Sequence, residues 1–153
     1  MRHLLSFLFL LLSAAITHAQ SIPARQKEFN LEKGVAIQGY DPVSYFNAAP
    51  RQGSSTFSTQ YNGVIYRFSS AGNLAAFNKN PAGYEPQYGG WCAYAMGAKG
   101  EKVEVDPETY KIVGGKLYLF YNKYFNNTLK SWNKAEATLK ASADANWKRI
   151  AHL

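Results

Sequence analysis

The sequence predicts an α+β fold, a small antiparallel β-sheet of at least four strands with helices packed on it. Two hairpin patterns predict the strands, and a C-terminal stretch with apolar residues at three- and four-residue steps predicts a long helix. The chain has 153 residues, 46% of them hydrophobic, which is enough for one domain with its own core. Its single Cys excludes an internal disulfide framework and zinc sites built from paired cysteines.

Residues 1–19 have the pattern of a signal peptide. Arg2 precedes an apolar run over residues 4–12, and Thr17 and Ala19 satisfy the small-residue requirement of a signal peptidase site. An uncleaved anchor helix is the alternative, but the run is shorter than the roughly 20 apolar residues that a bilayer span needs. We therefore expect cleavage after Ala19 and a soluble bacterial protein in the periplasm or outside the cell.

The expected processed chain keeps few groups for metal or nucleophilic chemistry. Its one imidazole is His152 and its one thioether is Met96, which excludes a histidine-rich metal site and a Cys–His hydrolase. Loss of one Arg leaves 16 basic against 10 acidic residues, a net charge of 16 − 10 = +6. Lys123, Lys130 and Lys134 lie opposite the apolar stripe of the C-terminal helix and form either a solvated helix side or a surface for a partner. Because the chain is expected to be exported, an anionic lipid or envelope surface is favoured over nucleic acid as that partner.

The N-terminal third of the expected processed chain contains an arm and a capped turn. Residues 20–33 are polar and predict a leader arm rather than a packed element. Asp41 followed by Pro42 combines a capping acid with a residue whose φ is set for a first helical turn, so a short helical turn should begin there. The same capping pair recurs at Asp106 and Pro107.

Two hairpins are predicted from turn chemistry. Asn62 and Gly63 supply the positive φ angles of a type I′ turn within the β-rich segment 58–68. Gly114 and Gly115 do the same within the segment 110–121.

Two helices accompany the hairpins. Ser70 caps a helix that should end at Asn80 because a proline follows. A longer helix of about four turns or more should bury one apolar stripe. The stripe consists of Phe125, Leu129, Trp132, Ala135 and Leu139.

Several separated motifs occur in the order found in one known family. They are Gly39-Tyr40-Asp41-Pro42-Val43-Ser44-Tyr45-Phe46, Tyr61-Asn62-Gly63, Tyr66-Arg67-Phe68-Ser69-Ser70, residues 77–84 and residues 84–96. Together they resemble the YHS domain family in its exported, stand-alone bacterial form, over one domain of residues 34–150. The resemblance implies a small α+β module, which occurs alone or attached to copper-transporting ATPases and some oxygenases, and for which metal binding has been suggested.

The sequence departs from that family at its soft-metal ligands. Ser69 stands where many members place Cys, Asn73 stands near the position of a frequent second Cys, and Ser44 stands where some members place Cys. The His of the family pattern is also missing there. Cys92 remains, in a Tyr-Gly-Gly-x-Cys-Ala-Tyr run that resembles the exported subgroup. If this segment is helical, Cys92 and Met96 share a face, and two sulfur ligands favour Cu(I). The alternative is that Cys92 is a small buried core group.

A ligand pocket is predicted near the same segment, from aromatic rings in loops, a charge and glycines that permit close approach of a ligand. Its residues are Asp41, Tyr45, Tyr88, Gly89, Gly90 and Trp91. Such a pocket suits a small organic or cationic ligand, whereas the alternative for these residues is simple packing. The sequence thus predicts an exported binding module for copper or a small ligand. The alternative is a thiol-dependent enzyme or redox protein that uses Cys92.

Overall fold

The computed structural model describes residues 21–47 and 49–152, so the predicted signal peptide lies outside the described residues. The predicted α+β class is confirmed. The strands are β1 (Leu31–Glu32), β2 (Val35–Ala36), β3 (Ser54–Tyr61), β4 (Val64–Phe68), β5 (Asp106–Val113), β6 (Lys116–Phe120), β7 (Asn122–Lys123) and β8 (Asn126–Asn127). The helices are α1 (Ile22–Glu28), α2 (Ala71–Lys79), α3 (Pro81–Tyr84), α4 (Ala93–Lys99), α5 (Thr128–Lys134) and α6 (Glu136–Ile150), with 3-10 turns at Ile37–Gly39, Ser44–Asn47 and Gln87–Gly90.

The main sheet has four strands in the order β1-β2-β4-β3. The predicted hairpin joins β3 to β4 through Asn62 and Gly63, both with positive φ. The sheet is mixed rather than purely antiparallel, because β2 pairs parallel to β4 with Val35 opposite Ile65. A two-residue strand carries too weak an alternation of polar and apolar residues to be recognised in the sequence.

The second predicted hairpin, β5–β6, forms a separate two-stranded sheet with Gly114 and Gly115 at its turn. Asp106 starts β5 instead of a helical turn, since its carboxylate accepts the N–H of Glu108 and the hydroxyl of Thr109 at the bulged start of the strand. Strand β6 is buried on both faces. One face packs into the core with the main sheet, and the other packs with the C-terminal helices.

The prediction of an unpacked arm over residues 20–33 is wrong for its described part. Ser21 caps helix α1, and Pro23 lies in the first turn. Arg25 and Glu28 on this helix are buried, and strand β1 follows. The polar composition of the segment predicted exposure, but Arg25 and Glu28 are each buried in an ion pair with a residue far away in sequence.

The C-terminal apolar stripe forms two helices instead of one. Ala135 leaves the helical region with φ −149° and ψ 38°, which separates α5 from α6. Trp132 from α5 and Ala143 from α6 are both fully buried in the same core. Phe125 precedes α5 in the turn between β7 and β8 and is exposed, so it does not belong to the stripe.

Helix α4 packs closely on α6. A Cβ added at Gly97 would lie 2.4 Å from the carbonyl oxygen of Leu139, so only glycine permits this separation. Cys92, at the N-cap position of α4, packs in the core with the main sheet and contacts Thr128, the first residue of α5. None of the helices in the described ranges has the length and apolar character needed to cross a bilayer.

Candidate functional site

Asp41 lies at the centre of a fully protein-bonded cluster and is 0% exposed. Its Oδ1 accepts the amide N–H groups of Val43 (2.9 Å) and Ser44 (3.3 Å), which is the predicted capping role. Its Oδ2 accepts the N–H of Ser69 (2.9 Å), the Ser69 hydroxyl (2.7 Å) and the Asn73 amide (2.6 Å). Both oxygens are therefore engaged inside the protein, and Asp41 presents no surface to a ligand.

The three positions where the resemblance implies cysteines come together around this carboxylate. Ser44, Ser69 and Asn73 border a surface cavity of about 320 Å³, together with Ser70 and Arg51. Hydroxyl, amide and guanidinium groups are poor ligands for Cu(I), which prefers thiolate and thioether. The donor set at this location therefore does not fit copper.

Tyr45 is a core residue in the structure. Its hydroxyl donates to the carbonyl oxygen of Pro107 (2.7 Å), and its ring meets that of Tyr110 edge-on at 5.0 Å. Burial, first of all, raises the pKa of Tyr45 far above its usual value. Tyr45 therefore lines none of the described cavities and serves packing.

Tyr88 and Gly89 form a strained segment that holds the N-terminal helix. Tyr88 has φ 56°, and its hydroxyl donates to Asp144 (2.8 Å); burial and then this bond raise the pKa of Tyr88. A Cβ at Gly89 would lie 2.8 Å from Trp147 and 2.9 Å from Phe29. The sequence predicted that a ligand could approach the backbone closely here. In the structure the side chains of Trp147 and Phe29 occupy that position.

Gly90 and Trp91 continue the same connection. The carbonyl oxygen of Gly90 accepts the Asn30 amide (3.2 Å), and the indole N–H of Trp91 donates to the carbonyl oxygen of Glu28 (2.6 Å). These polar groups are therefore engaged with the chain around the end of α1 rather than aimed at solvent.

An ion pair that the sequence did not indicate lies beside this segment. Arg25 pairs with Glu85, whose carboxylate also accepts the Tyr66 hydroxyl (2.5 Å). The Arg25 guanidinium stacks 4.4 Å from the centre of the Phe29 ring. Arg25, Glu85 and Tyr88 border a cavity of about 280 Å³. The capping serine followed by proline at the start of α1 was the one sequence signal that could have placed Arg25 on a packed helix.

Cys92 is 0% exposed, and its thiol belongs to a ring of hydrogen bonds. The amide N–H of Tyr121 donates to Sγ (3.4 Å), and Sγ lies 3.4 Å from the hydroxyl oxygen of Thr128. The Thr128 hydroxyl donates to the Tyr121 carbonyl oxygen (2.9 Å), which leaves its oxygen free to accept the thiol hydrogen.

A cavity of about 250 Å³ opens beside this thiol, and we call it the Cys92 cavity. Its walls come from α4, the loop after it, and the base of the β7–β8 hairpin. They are Cys92, Tyr94, Ala95, Ala98, Lys99, Glu101, Val103, Tyr121, Asn126 and Thr128. Segments distant in sequence thus converge on one partly apolar space, which only the tertiary structure brings together.

Met96 does not join Cys92 in a common site. Cys92 precedes the helix with φ −58° and ψ 116°, so the rule that residues four apart share a helix face does not apply. Cys92 packs in the core of the main sheet, whereas Met96 packs with the C-terminal helices. Across residues 21–47 and 49–152, no three His, Cys, Asp or Glu side chains are grouped so that they could hold a metal ion.

Comparison of the chain with protein-family models, with curated proteins and with solved structures gave no match. The candidate site is therefore judged on its geometry. Of the predicted site residues, Cys92 lines the Cys92 cavity, Tyr88 and Gly89 line the cavity beside Arg25, and Asp41 and Tyr45 are used by the fold.

Proposed function

We propose that the protein is an exported binding module of YHS type that holds a small, largely apolar organic molecule in the Cys92 cavity. The observation that carries this proposal is the cavity itself, in which a fully buried thiol borders a space of about 250 Å³. Apolar pockets with a few convergent polar groups are the usual form of small-molecule sites.

The walls define the class of ligand. Val103 and Ala95 offer apolar surface, and Tyr94 and Tyr121 are partly buried aromatic residues. The volume lies below the roughly 300–1,000 Å³ of pockets for drug-sized ligands, so the ligand should be smaller than those. Asn126 supplies an amide that can orient one polar group of the ligand.

In this proposal Cys92 is a wall of the cavity and not a nucleophile. Its sulfur is 0% exposed and is hydrogen-bonded to the Tyr121 amide and the Thr128 hydroxyl, so it is held inside the fold rather than presented to a reactant. The alternative is a thiol-dependent enzyme or redox protein. Cys92 lines a cavity large enough for a small reactant, but the residue is 0% exposed, so its sulfur would have to become accessible for this alternative.

Native mass spectrometry of the protein purified from its own cell envelope tests the proposal. Wild type should retain a small organic mass, and Val103→Phe, which fills the cavity, should lose it. Val113→Phe is the matched control, because Val113 is also a half-buried valine but lines none of the described cavities. If wild type retains no small organic molecule, binding of para-cresol and of indole is measured by titration instead. Equal binding by Val103→Phe and wild type, or no binding by wild type in either assay, would contradict the proposal.

Alkylation of Cys92 by iodoacetamide distinguishes the binding module from the thiol-dependent enzyme or redox protein. A wall residue should react slowly in the native protein and rapidly in urea, and Cys92→Ala should keep the ligand. Fast native alkylation near neutral pH, with loss of a measured redox or transfer activity in Cys92→Ala, would favour the thiol-dependent alternative. If Cu(I) is bound through Cys92, adding Cu(I) should block the alkylation.

A further inference from the structure

The tip of the β7–β8 hairpin exposes two aromatic side chains to solvent. Tyr124 is 88% exposed and Phe125 is 111% exposed. Among the described residues, the only other exposed large hydrophobic side chain is Ile22. Two adjacent rings on a protruding turn therefore stand out from the rest of the surface, because isolated apolar residues are ordinary but clusters are not.

These rings occupy positions that aromatic residues rarely adopt. The pairs Asn122–Asn127 and Lys123–Asn126 leave a two-residue turn, in which Tyr124 has φ 53° and Phe125 has φ 62°. Such a turn prefers residues such as Asn and Gly, since bulky side chains are strained at positive φ.

The other three tight hairpins among the described residues each have glycine at the second turn position. They use Lys33-Gly34, Asn62-Gly63 and Gly114-Gly115. The β7–β8 hairpin has no glycine at its turn, and its exposed rings accept backbone strain without the packing that would offset it, which indicates a role outside the fold.

Three lysines lie in the hairpin or in the helix that follows it. Lys123 lies in the hairpin, and Lys130 and Lys134 lie on the exposed side of α5, which begins directly after it. None of the three belongs to an ion pair among the described residues. The nearest acid along α5 and its continuation, Glu136, is already paired with Lys111. On the neighbouring segments, Asp106 is linked to the hairpin through Thr109 and Asn122, and Glu101 lines the same cavity as Asn126. The hairpin and α5 thus combine an apolar tip with three lysines that form no ion pair among the described residues.

We propose that this hairpin is a wedge that inserts Tyr124 and Phe125 into the surface of an anionic lipid bilayer. Aromatic rings partition into the headgroup region, and each lysine near an anionic surface adds attraction. A two-residue tip offers far less than the roughly 1,000 Å² that a stable protein interface buries, whereas a bilayer accepts a small convex wedge. The proposal does not depend on the Cys92 cavity.

Sedimentation with vesicles tests the wedge, using the full chain expressed for export and purified in its processed form. Its N-terminus is sequenced, so that residues 1–19 are known not to contribute. Wild type should bind vesicles of phosphatidylcholine mixed with phosphatidylglycerol, and bind pure phosphatidylcholine more weakly. The double variant Tyr124→Asn/Phe125→Gly should weaken binding to the mixed vesicles by about tenfold or more, because burying a single aromatic side chain is worth at least that factor.

The double variant installs the residues that the turn prefers, so it should fold and melt at or above the wild-type temperature. Ile22→Thr is the matched control and should bind as wild type does. Lys123→Gln/Lys130→Gln should weaken binding to the mixed vesicles and leave binding to phosphatidylcholine unchanged.

Three outcomes would overturn the proposal. The first is equal binding to mixed vesicles by wild type and the double variant. The second is a lower melting temperature for the double variant, which would show that the rings stabilise the fold. The third is a wild-type dimer that does not bind mixed vesicles and dissociates in the double variant, which would assign the tip to a second copy of the chain.

Discussion

Replacing Asp41 by Asn should destabilise the protein even though asparagine is as good a helix cap as aspartate. Capping uses only Oδ1, which accepts the amides of Val43 and Ser44. Three further donors, two from Ser69 and one from Asn73, converge on Oδ2. An asparagine cannot accept hydrogen bonds on both sides, so one set of donors must face its NH₂ group.

The loss of stability depends on which donors can reorient away from the NH₂ group of the asparagine. With the amide oxygen kept on the capping side, the Ser69 hydroxyl can rotate to accept and the Asn73 amide can flip to offer its oxygen. The backbone N–H of Ser69 cannot turn and is left unsatisfied, which costs about 1–3 kcal/mol. The remaining bonds also lose the strength that a charged acceptor gives them. We expect Asp41→Asn to lower the free energy of unfolding by about 2–4 kcal/mol, and Asp41→Ala by more.

Urea unfolding followed by tryptophan fluorescence measures this difference. Asp144→Asn is the matched control, because Asp144 also accepts a hydrogen bond at each oxygen, but from the mobile side chains of Tyr88 and Lys140 and from a half-exposed position. The control should cost less than about 1 kcal/mol. An Asp41→Asn protein within about 0.5 kcal/mol of wild type would refute the reasoning, since it would mean that the bonds to Oδ2 contribute nothing.

Gly97→Ala should destabilise the protein by about 2 kcal/mol or more, because its methyl group would lie 2.4 Å from a main-chain oxygen of α6. Gly72→Ala in α2, whose methyl group meets nothing closer than 3.8 Å, should be neutral or stabilising, and equal effects in urea unfolding would contradict this. The hydrogen bond from Lys102, first of all, lowers the pKa of Glu28 in the folded protein. The ionised Glu28 therefore contributes its full stabilisation of the fold above its ordinary pKa of 4.5, and this stabilisation is lost as the pH falls through the lower pKa of the folded protein. Lys102→Met should therefore lower the melting temperature at neutral pH, with a difference from wild type that narrows on acidification; a constant difference down to about pH 3 would argue against it. N-terminal sequencing of exported protein should begin at Gln20, and an unprocessed start would contradict the predicted signal peptide.

The elements that could be predicted from the sequence are those set by near neighbours. The Asn62-Gly63 turn, the Gly114-Gly115 turn and the Ser70 cap depend on residues at most four positions away, and the structure confirms all three. Turn and cap chemistry acts through the local backbone, so a short window contains the information. The aromatic turn at Tyr124 and Phe125 escaped prediction for the same reason, because its residues contradict the local rule.

The candidate site was predicted only in part because its contacts are long-range. Cys92 was predicted as a candidate site residue, and it lines a cavity with Val103, Tyr121 and Thr128. These three residues come from segments 11 to 36 positions later, and no local pattern marks them. Asp41 was predicted as a cap. Its second oxygen is occupied by residues 28 and 32 positions away, and those bonds remove it from any ligand surface.

By itself the sequence determined the fold class, the two long hairpins, the helix after Ser70 and an excess of positive charge. Only the tertiary structure decided that β6 is buried on both faces, that Cys92 and Met96 pack in separate cores, and that Arg25 on α1 is buried against Glu85. The physical reason is that hydrogen bonds within turns and helices join residues a few positions apart. Burial and ion pairing instead depend on which distant surfaces meet, and that is settled when the whole chain packs together.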